Sequence, residues 1–232
     1  MIVIFGAGGG LGQALVSHYL QRGEQVLGVS RQAAPVGQHG QWLQVNDYNA
    51  TCLAPLHELL QNQAVDGVIS TLGSLHDEQF MPEKRLDDLT GDHMLHSYYV
   101  NAVLPLSLLQ WTKPYLPTKQ PCFWVQLSAK VGSITDNQLG GWYSYRASKA
   151  ALNMLLKTAA IELARSHKQL TIAAIHPGTT DTQLSKPFQG RLSADKLFTP
   201  AMSAARIAQV IDSLEPAMSG ALWHWDGTRL PY

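Results

Sequence analysis

The chain has 232 residues, of which 45% are hydrophobic and 15% charged, so it holds enough apolar material for one α/β domain with a buried sheet. Seventeen basic residues balance seventeen acidic ones, which leaves no overall positive field to attract nucleic acid or anionic lipid. Cys52 and Cys122 lack metal-ligand spacing and no apolar run reaches membrane-spanning length, so we expect a cytoplasmic protein without membrane or nucleic-acid partners.

Short apolar runs alternate along the chain with longer helical stretches, which is the pattern of a parallel sheet built from βαβ units. The predicted strands cover residues 2–5, 25–30, 42–45, 67–70, 122–128, 170–176 and 221–225. The predicted helices cover residues 10–21, 54–61, 94–111, 143–165 and 201–213. Residues 183–200 contain Pro187, Gly190 and Pro200 and have weak periodicity, which predicts a mobile flap with room for a short helix.

A glycine-rich turn, Gly6-Ala7-Gly8-Gly9-Gly10-Leu11-Gly12, follows the first predicted strand and opens a helix. Gly6 permits the tight turn, Gly10 a close backbone approach, and Gly12 close packing of helix on strand. Backbone N–H groups and a helix N-terminus can there face a pyrophosphate. A flexible loop could have the same composition, but the position after a strand favours a dinucleotide site. The predicted cofactor contacts in this turn are Gly6, Gly8, Gly10, Leu11 and Gly12.

Ser30 and Arg31 stand at the end of the second predicted strand. About twenty residues beyond such a turn, a protein that binds NAD carries an acidic group for the ribose hydroxyls. An arginine pairs with a ribose phosphate that an acid would repel, so the sequence predicts NADP(H) as the cofactor. The alternative is a solvated surface arginine.

Tyr145 and Lys149 are four residues apart on a segment with helical character, so their side chains share one face. A tyrosine titrates near pH ~10, and a nearby ammonium with a bound nicotinamide cation would lower that pKa towards neutrality for acid/base work. The lysine can also bind the nicotinamide ribose. Such a pair is common on exposed helices, but here it comes late in a nucleotide-binding chain, after a strand that ends in Leu127 and Ser128.

With these residues in view, the chain resembles the short-chain dehydrogenase/reductase superfamily over essentially its whole length. The glycine turn, Asn101, the Tyr145-x-x-x-Lys149 pair and Pro177-Gly178 occur in the family order. Residues 127–153 are similar to the C-factor-like and carbonyl reductase-like branch, as is the C-terminal run Trp225-Asp226-Gly227.

The resemblance implies a Rossmann-type doubly wound α/β fold, with a seven-stranded parallel sheet flanked by helices in one NADP(H)-binding domain over residues 1–232. It implies hydride transfer between NADPH and a carbonyl or alcohol carbon. Tyr145 would protonate the carbonyl oxygen, Lys149 would orient the ribose and tune the tyrosine, and Asn101 would complete a proton relay through water. Pairing through the two long central helices would give a homodimer or homotetramer. Further implied cofactor contacts are Thr71, Leu72, Gly73, Pro177, Gly178, Thr180 and Thr182.

The sequence departs from the family pattern at the serine that binds the substrate oxygen. That serine lies three residues before a glycine, here Gly132, and Ala129 stands in its place. We predict that Ser128 substitutes for it, since local twist at a strand end can turn its hydroxyl inward. The alternative is a serine that only caps the strand. The aspartate that family members often place near the adenine, after the third strand, is replaced here by Gln44 or aligns with Asp47.

Two functions follow from these residues. The leading hypothesis is NADPH-dependent reduction of a small or medium carbonyl compound. Its substrate pocket is predicted to be apolar, with walls from Trp142, Leu139, Phe188 and Phe198; the alternative is that these residues belong to the core. The rival is a cofactor-binding signalling or regulatory protein with little turnover, motivated by Ala129 and the C-factor-like resemblance. We expect no metal, because the nine histidines form no cluster by spacing, and His176 is predicted to be a packed strand residue.

Overall fold

A computed structural model describes residues 1–37 and 39–232, with the side chains of residues 191 and 194 left out. The strands are β1 (Ile2–Phe5), β2 (Val26–Ser30), β3 (Gln41–Gln44), β4 (Gly67–Ser70), β5 (Cys122–Leu127), β6 (Leu170–His176), β7 (Thr179–Thr180), β8 (Leu197–Phe198), β9 (Ala221–His224) and β10 (Arg229–Leu230). The α-helices are α1 (Gly10–Gln21), α2 (Ala50–Leu60), α3 (Gly91–Tyr98), α4 (Leu104–Thr112), α5 (Tyr143–Leu163) and α6 (Pro200–Asp212). Each predicted strand and helix has a counterpart among them.

The central sheet has eight strands in the order β10-β9-β6-β5-β4-β1-β2-β3, so the predicted number of seven was wrong. Seven of the strands are parallel, as predicted, and β10 is antiparallel to β9. The extra strand forms because the chain turns back after β9 at Gly227, whose φ of 85° is left-handed. Arg229 then lies opposite Trp223, and Leu230 opposite Leu222.

Helices cover both faces of the sheet, which confirms the predicted doubly wound fold. One face packs against α2, α4 and α5, with Leu56, Leu108 and Leu152 fully buried. The other packs against α1 and α6, with Leu15 and Ile207 fully buried. This arrangement puts the strands' carboxyl ends along one edge, where ligands of such sheets bind. Within residues 1–37 and 39–232, no helix is both long and apolar enough to cross a membrane.

The single helix predicted over residues 94–111 is interrupted. Its middle is a π-helical turn, Tyr99–Val103, which contains Asn101 and joins α3 to α4. Residue periodicity does not reveal a π turn, because the apolar pattern continues on both sides of it, and such turns often mark functional positions.

The predicted flap over residues 183–200 contains two short 3₁₀ segments, Lys186–Arg191 and Ala194–Lys196. It then enters β8, which pairs with β7 in a small second sheet. The flap is therefore tied at its end to the segment that follows β6.

Candidate active site

A cavity of about 710 Å³ opens at the carboxyl edge of the parallel strands. Its walls come from the glycine turn after β1, the loops after β2, β4 and β5, the start of α5, the segment after β6 and the flap. Of the residues predicted to be catalytic or to contact the cofactor, Asn101 does not line it. Those that line it are Gly6, Gly8, Gly10, Leu11, Gly12, Ser30, Arg31, Thr71, Leu72, Gly73, Ser128, Tyr145, Lys149, Pro177, Gly178, Thr180 and Thr182.

The glycine turn leaves no room for a side chain at three of its positions, Gly6, Gly8 and Gly12. Gly6 has a left-handed φ of 76°, and a Cβ there would lie 2.5 Å from Thr71 Oγ1. A Cβ on Gly8 would lie 2.4 Å from Ser30 Oγ, and one on Gly12 would lie 2.2 Å from the carbonyl oxygen of Gly6. The turn therefore presents bare backbone to the cavity at the start of α1, which fits a pyrophosphate group.

Arg31 lies at the rim of the cavity with an exposed side chain, and in the part of the chain that the structure describes it forms no ion pair. Ser30, beside it, accepts a hydrogen bond at 3.0 Å from the backbone N–H of Gln32. The arginine is thus available to an anionic group next to the glycine turn.

Tyr48, which was not among the predicted site residues, lines the cavity after β3, and burial raises the pKa of its phenol. Asp47 instead accepts hydrogen bonds from Tyr48 N at 2.7 Å and Asn49 Nδ2 at 3.0 Å. Gln44 donates to the carbonyl of Arg31 at 3.2 Å. Neither lines the cavity, and a tyrosine after an edge strand gives no signal of its own.

Tyr145 and Lys149 both point from the first turns of α5 into the cavity. Lys149 Nζ lies 5.8 Å from the centre of the Tyr145 ring and donates to the carbonyl of Leu127 at 3.1 Å. Burial lowers the pKa of Lys149 to about 8. Burial also raises the pKa of Tyr145, because desolvation disfavours the charged phenolate; the predicted lowering concerns the state with a nicotinamide cation bound.

Asn101 is fully buried beneath the cavity floor and links three segments. Its side chain accepts from Ser74 N and donates to Ser74 O, both at 2.8 Å, and donates to Ser148 Oγ at 3.1 Å. A Cβ on Gly73 would lie 3.3 Å from both Asn101 Oδ1 and Lys149 Nζ. Asn101 therefore lies next to Lys149, although its amide has no surface on the cavity.

The structure does not support a direct role of Ser128 towards a substrate. Its hydroxyl donates to Asn153 Oδ1 at 2.8 Å, so its proton is directed away from the cavity. Ala129 packs against Tyr145 and Leu75 instead. Ser128 lines the cavity but its proton is engaged by Asn153, and Ala129, which packs against Tyr145, has no hydroxyl.

The segment after β6 forms the opposite wall. Thr182 lies across from the glycine turn, with its Cγ2 3.4 Å from where a Cβ on Gly10 would be. Thr180 Oγ1 is 2.7 Å from Ser203 Oγ on α6, so this hydroxyl already has a partner. His176 also lines the cavity and is not only a packed strand residue. Burial lowers its pKa to about 3, so the imidazole is neutral.

The cavity beside Tyr145 is apolar. The Trp142 indole lies 6.1 Å from the Tyr145 ring and 5.0 Å from the ring of Phe188 in the flap, measured between centroids. Two other predicted wall residues do not contribute to it, since Leu139 is 92% exposed and Phe198 packs on Trp225 at 5.1 Å.

The model of the short chain dehydrogenase family matches residues 1–192. The chain belongs to the short-chain dehydrogenase/reductase family. It therefore belongs to a family of oxidoreductases that use a nicotinamide cofactor. In the described part of this short-chain dehydrogenase/reductase, no group of three or more His, Cys, Asp and Glu side chains could hold a metal ion.

Similar proteins agree with this assignment. The chain is 36% identical over 133 residues to 1-hydroxy-2-glutathionyl-2-methyl-3-butene dehydrogenase of Rhodococcus sp., a match that spans 57% of this chain and 56% of that enzyme. It is 28% identical over 181 residues to C-signal of Myxococcus xanthus, covering 78% of this chain and 95% of that protein. The latter agrees with the predicted C-factor-like branch.

The fold of this short-chain dehydrogenase/reductase also matches solved structures. The NADPH-bound carbonyl reductase from chicken fatty liver superposes with a TM-score of 0.84 at 24% identity, over 100% of this chain and 98% of that one. The Rossmann-type architecture is thereby confirmed.

Proposed function

We propose that this chain is an NADP(H)-dependent carbonyl reductase, one domain over residues 1–232 that converts a small or medium carbonyl compound to its alcohol. The main support is that one continuous cavity joins the glycine turn and Arg31 to Tyr145 and Lys149. The apolar wall beside Tyr145 favours a substrate with apolar groups around its carbonyl.

The residues present fit a phosphorylated dinucleotide. At Gly6, Gly8 and Gly12 a Cβ would clash with neighbouring protein atoms, so the turn stays bare backbone, and α1 begins there. Arg31 is available for a ribose phosphate, and Lys149 for the ribose hydroxyls. When bound, NADPH would supply the hydride that reduces the carbonyl carbon.

The protein's own part is proton transfer and its support. Burial keeps Tyr145 protonated at neutral pH, which is the form that can donate a proton to the carbonyl oxygen during reduction. The Lys149 ammonium, anchored on the Leu127 carbonyl, offsets the negative charge left on the phenol oxygen. Asn101 fixes the loop that contains Gly73 against α5, and its place in a water relay follows from family order alone.

Replacement of Tyr145 by phenylalanine tests the proposal. Purified protein should oxidise NADPH in the presence of some aldehydes, ketones or quinones, and Tyr145→Phe should lose at least ~100-fold in kcat, since positioned acid/base groups contribute about 10²–10⁴-fold. The matched control is Tyr143→Phe, two residues earlier, whose ring does not line the cavity. Retention of turnover in Tyr145→Phe would remove this residue from the mechanism.

A second function is favoured by Ala129, which leaves no hydroxyl beside the phenol, together with the similarity to C-signal. A regulatory protein that binds NADPH without turning it over would need no such hydroxyl. It predicts tight NADPH binding with no substrate-dependent oxidation across a broad carbonyl panel, whereas the reductase predicts oxidation with at least one class.

We also propose that the protein forms a homodimer or homotetramer through its long central helices. Apolar side chains are exposed on these helices, namely Leu95, Tyr99, Val103, Met154 and Ile161. Sedimentation of Met154→Glu against the unaltered protein tests this, since a charge at the interface should dissociate the oligomer.

A further inference from the structure

A buried carboxylate outside the cavity contacts the start of the helix that contains Tyr145. Glu83 lies in the loop between β4 and α3 and is 2% exposed. It does not line the cavity, and the mechanism proposed above does not use it. A buried carboxylate needs partners to offset its desolvation, and those of Glu83 all lie near the active site.

The first set of partners is the N-terminus of α5. Residues 140–142 have φ values of 64°, 64° and 54°, so Gly140, Gly141 and Trp142 are three left-handed residues in a row. Left-handed backbone is strained for a tryptophan. Trp142 stands at the N-cap and its side chain caps nothing, so the first backbone N–H groups of α5 need another acceptor.

Glu83 supplies two acceptors to this helix start, one from its backbone and one from its side chain. Its backbone carbonyl accepts from Trp142 N at 2.5 Å, and its carboxylate accepts from Ser144 N at 3.2 Å. The Ser144 hydroxyl also donates to this carboxylate. A negative charge at a helix N-terminus is favourable because the N–H groups there are unpaired. Glu83 thus caps α5 from a distant part of the chain and holds Trp142 in its left-handed conformation.

The second partner of the Glu83 carboxylate lies on α3. His93 Nδ1 lies 2.9 Å from Glu83 Oε1, and the His93 ring stacks on Phe80 with centroids 4.8 Å apart. His93 is itself buried. Because α3 leads into the turn that contains Asn101, Glu83 joins the Asn101 segment to the Tyr145 segment.

We propose that Glu83 is a positioning residue for Tyr145 and Trp142, a role that rests on the proton donation by Tyr145 proposed above. Ser144, the bonded residue, directly precedes Tyr145 in the chain. Loss of the carboxylate frees the N–H and hydroxyl of Ser144, and so loosens the first turn of α5 that holds the phenol and the indole wall. The backbone bond to Trp142 N and the glycine turn after β1 stay intact. The effect therefore falls on the chemical step and substrate binding more than on cofactor affinity.

The test compares Glu83→Ala with Asp88→Ala. Asp88 is a matched control because its carboxylate also caps backbone N–H groups in this loop, those of Lys84 and Arg85 at 3.2 and 3.0 Å, without touching α5. In Glu83→Ala we expect kcat to fall by roughly 10- to 100-fold, since small misplacements of reacting groups cost about that much. The Kd for NADPH should stay within about threefold. Amide hydrogen exchange over residues 140–146 should accelerate in Glu83→Ala and not in Asp88→Ala.

A kcat within about twofold of the unaltered enzyme in Glu83→Ala would overturn the proposal. So would equal losses of kcat in both variants, which would indicate loop stability alone. If Glu83→Ala does not fold, Ser144→Ala decides by the same criteria, because it removes only the hydroxyl donor. Retained turnover in Tyr145→Phe would instead refute the proposed function, which separates the two failures.

Discussion

Replacing Arg31 by alanine removes a positive side chain that the structure places beside Ser30 and the glycine turn at the cavity rim. The guanidinium has no acidic partner among the described residues, so its removal leaves no buried charge unpaired. Any change in cofactor affinity then reports on the cofactor contact itself.

The magnitude follows from the exposure of this side chain. A hydrogen bond to a charged group contributes about 1.5–3 kcal/mol of binding free energy. For a solvent-exposed pair such as this one, screening by water reduces the contribution to the lower end of that range or below it. We therefore expect a loss of about 1.5 kcal/mol, which corresponds to roughly tenfold weaker NADPH binding. NADH lacks the ribose 2′-phosphate of NADPH that Arg31 would contact, so the affinity for NADH should not change. The NADPH effect should shrink at high salt, because the Debye length falls to about 3 Å at 1 M.

Fluorescence titration of both cofactors with Arg31→Ala measures this difference. The control is Arg22→Ala, which removes the same charge from a site where Arg22 pairs with Asp212 at 2.8 Å, away from the cavity. An NADPH affinity unchanged in Arg31→Ala, or lowered equally in both variants, would refute the assignment of Arg31 to the ribose phosphate.

Three further predictions follow from the site. The rate of carbonyl reduction should fall as pH rises through about 8, because Lys149 then loses its proton. A rate that stays constant up to pH ~10, where an ordinary lysine has its pKa, would contradict this prediction. Ala129→Ser places a hydroxyl against Tyr145 and should raise kcat by roughly tenfold, as an added donor to the substrate oxygen; an unchanged or lower kcat would show that the cavity does not use this position. Gly12→Ala puts a Cβ 2.2 Å from the Gly6 carbonyl and should cost about 1–3 kcal/mol in urea unfolding, and unaltered stability would contradict the close packing.

The parts of the site that could be predicted are those where one residue type has a local backbone or charge requirement. Gly6, Gly8 and Gly12 are needed wherever a turn must present bare backbone, and Arg31 stands where an acid would otherwise be. Tyr145 and Lys149 share a face because helical spacing alone requires it. The order of strands and helices followed in the same way from runs of apolar residues.

The remaining features depend on contacts between distant residues. Glu83 is one of five acids in a polar loop, and its importance arises from Ser144, 61 positions later in the chain. The direction of Ser128 depends on Asn153, and β10 is only two residues long. The pKa of Tyr145 depends on how deeply folding buries it, which helical spacing with Lys149 does not reveal.

The π-helical turn at Tyr99–Val103 fixes how α3 is rotated about its axis relative to α4. One residue of α-helix corresponds to about 100° of rotation. If the residues of this turn formed a regular α-helix while Leu108 stays packed on the sheet, α3 would rotate about its axis by about a quarter of a revolution relative to α4. His93 would then face away from Glu83, so the wide π turn is what keeps these two side chains together.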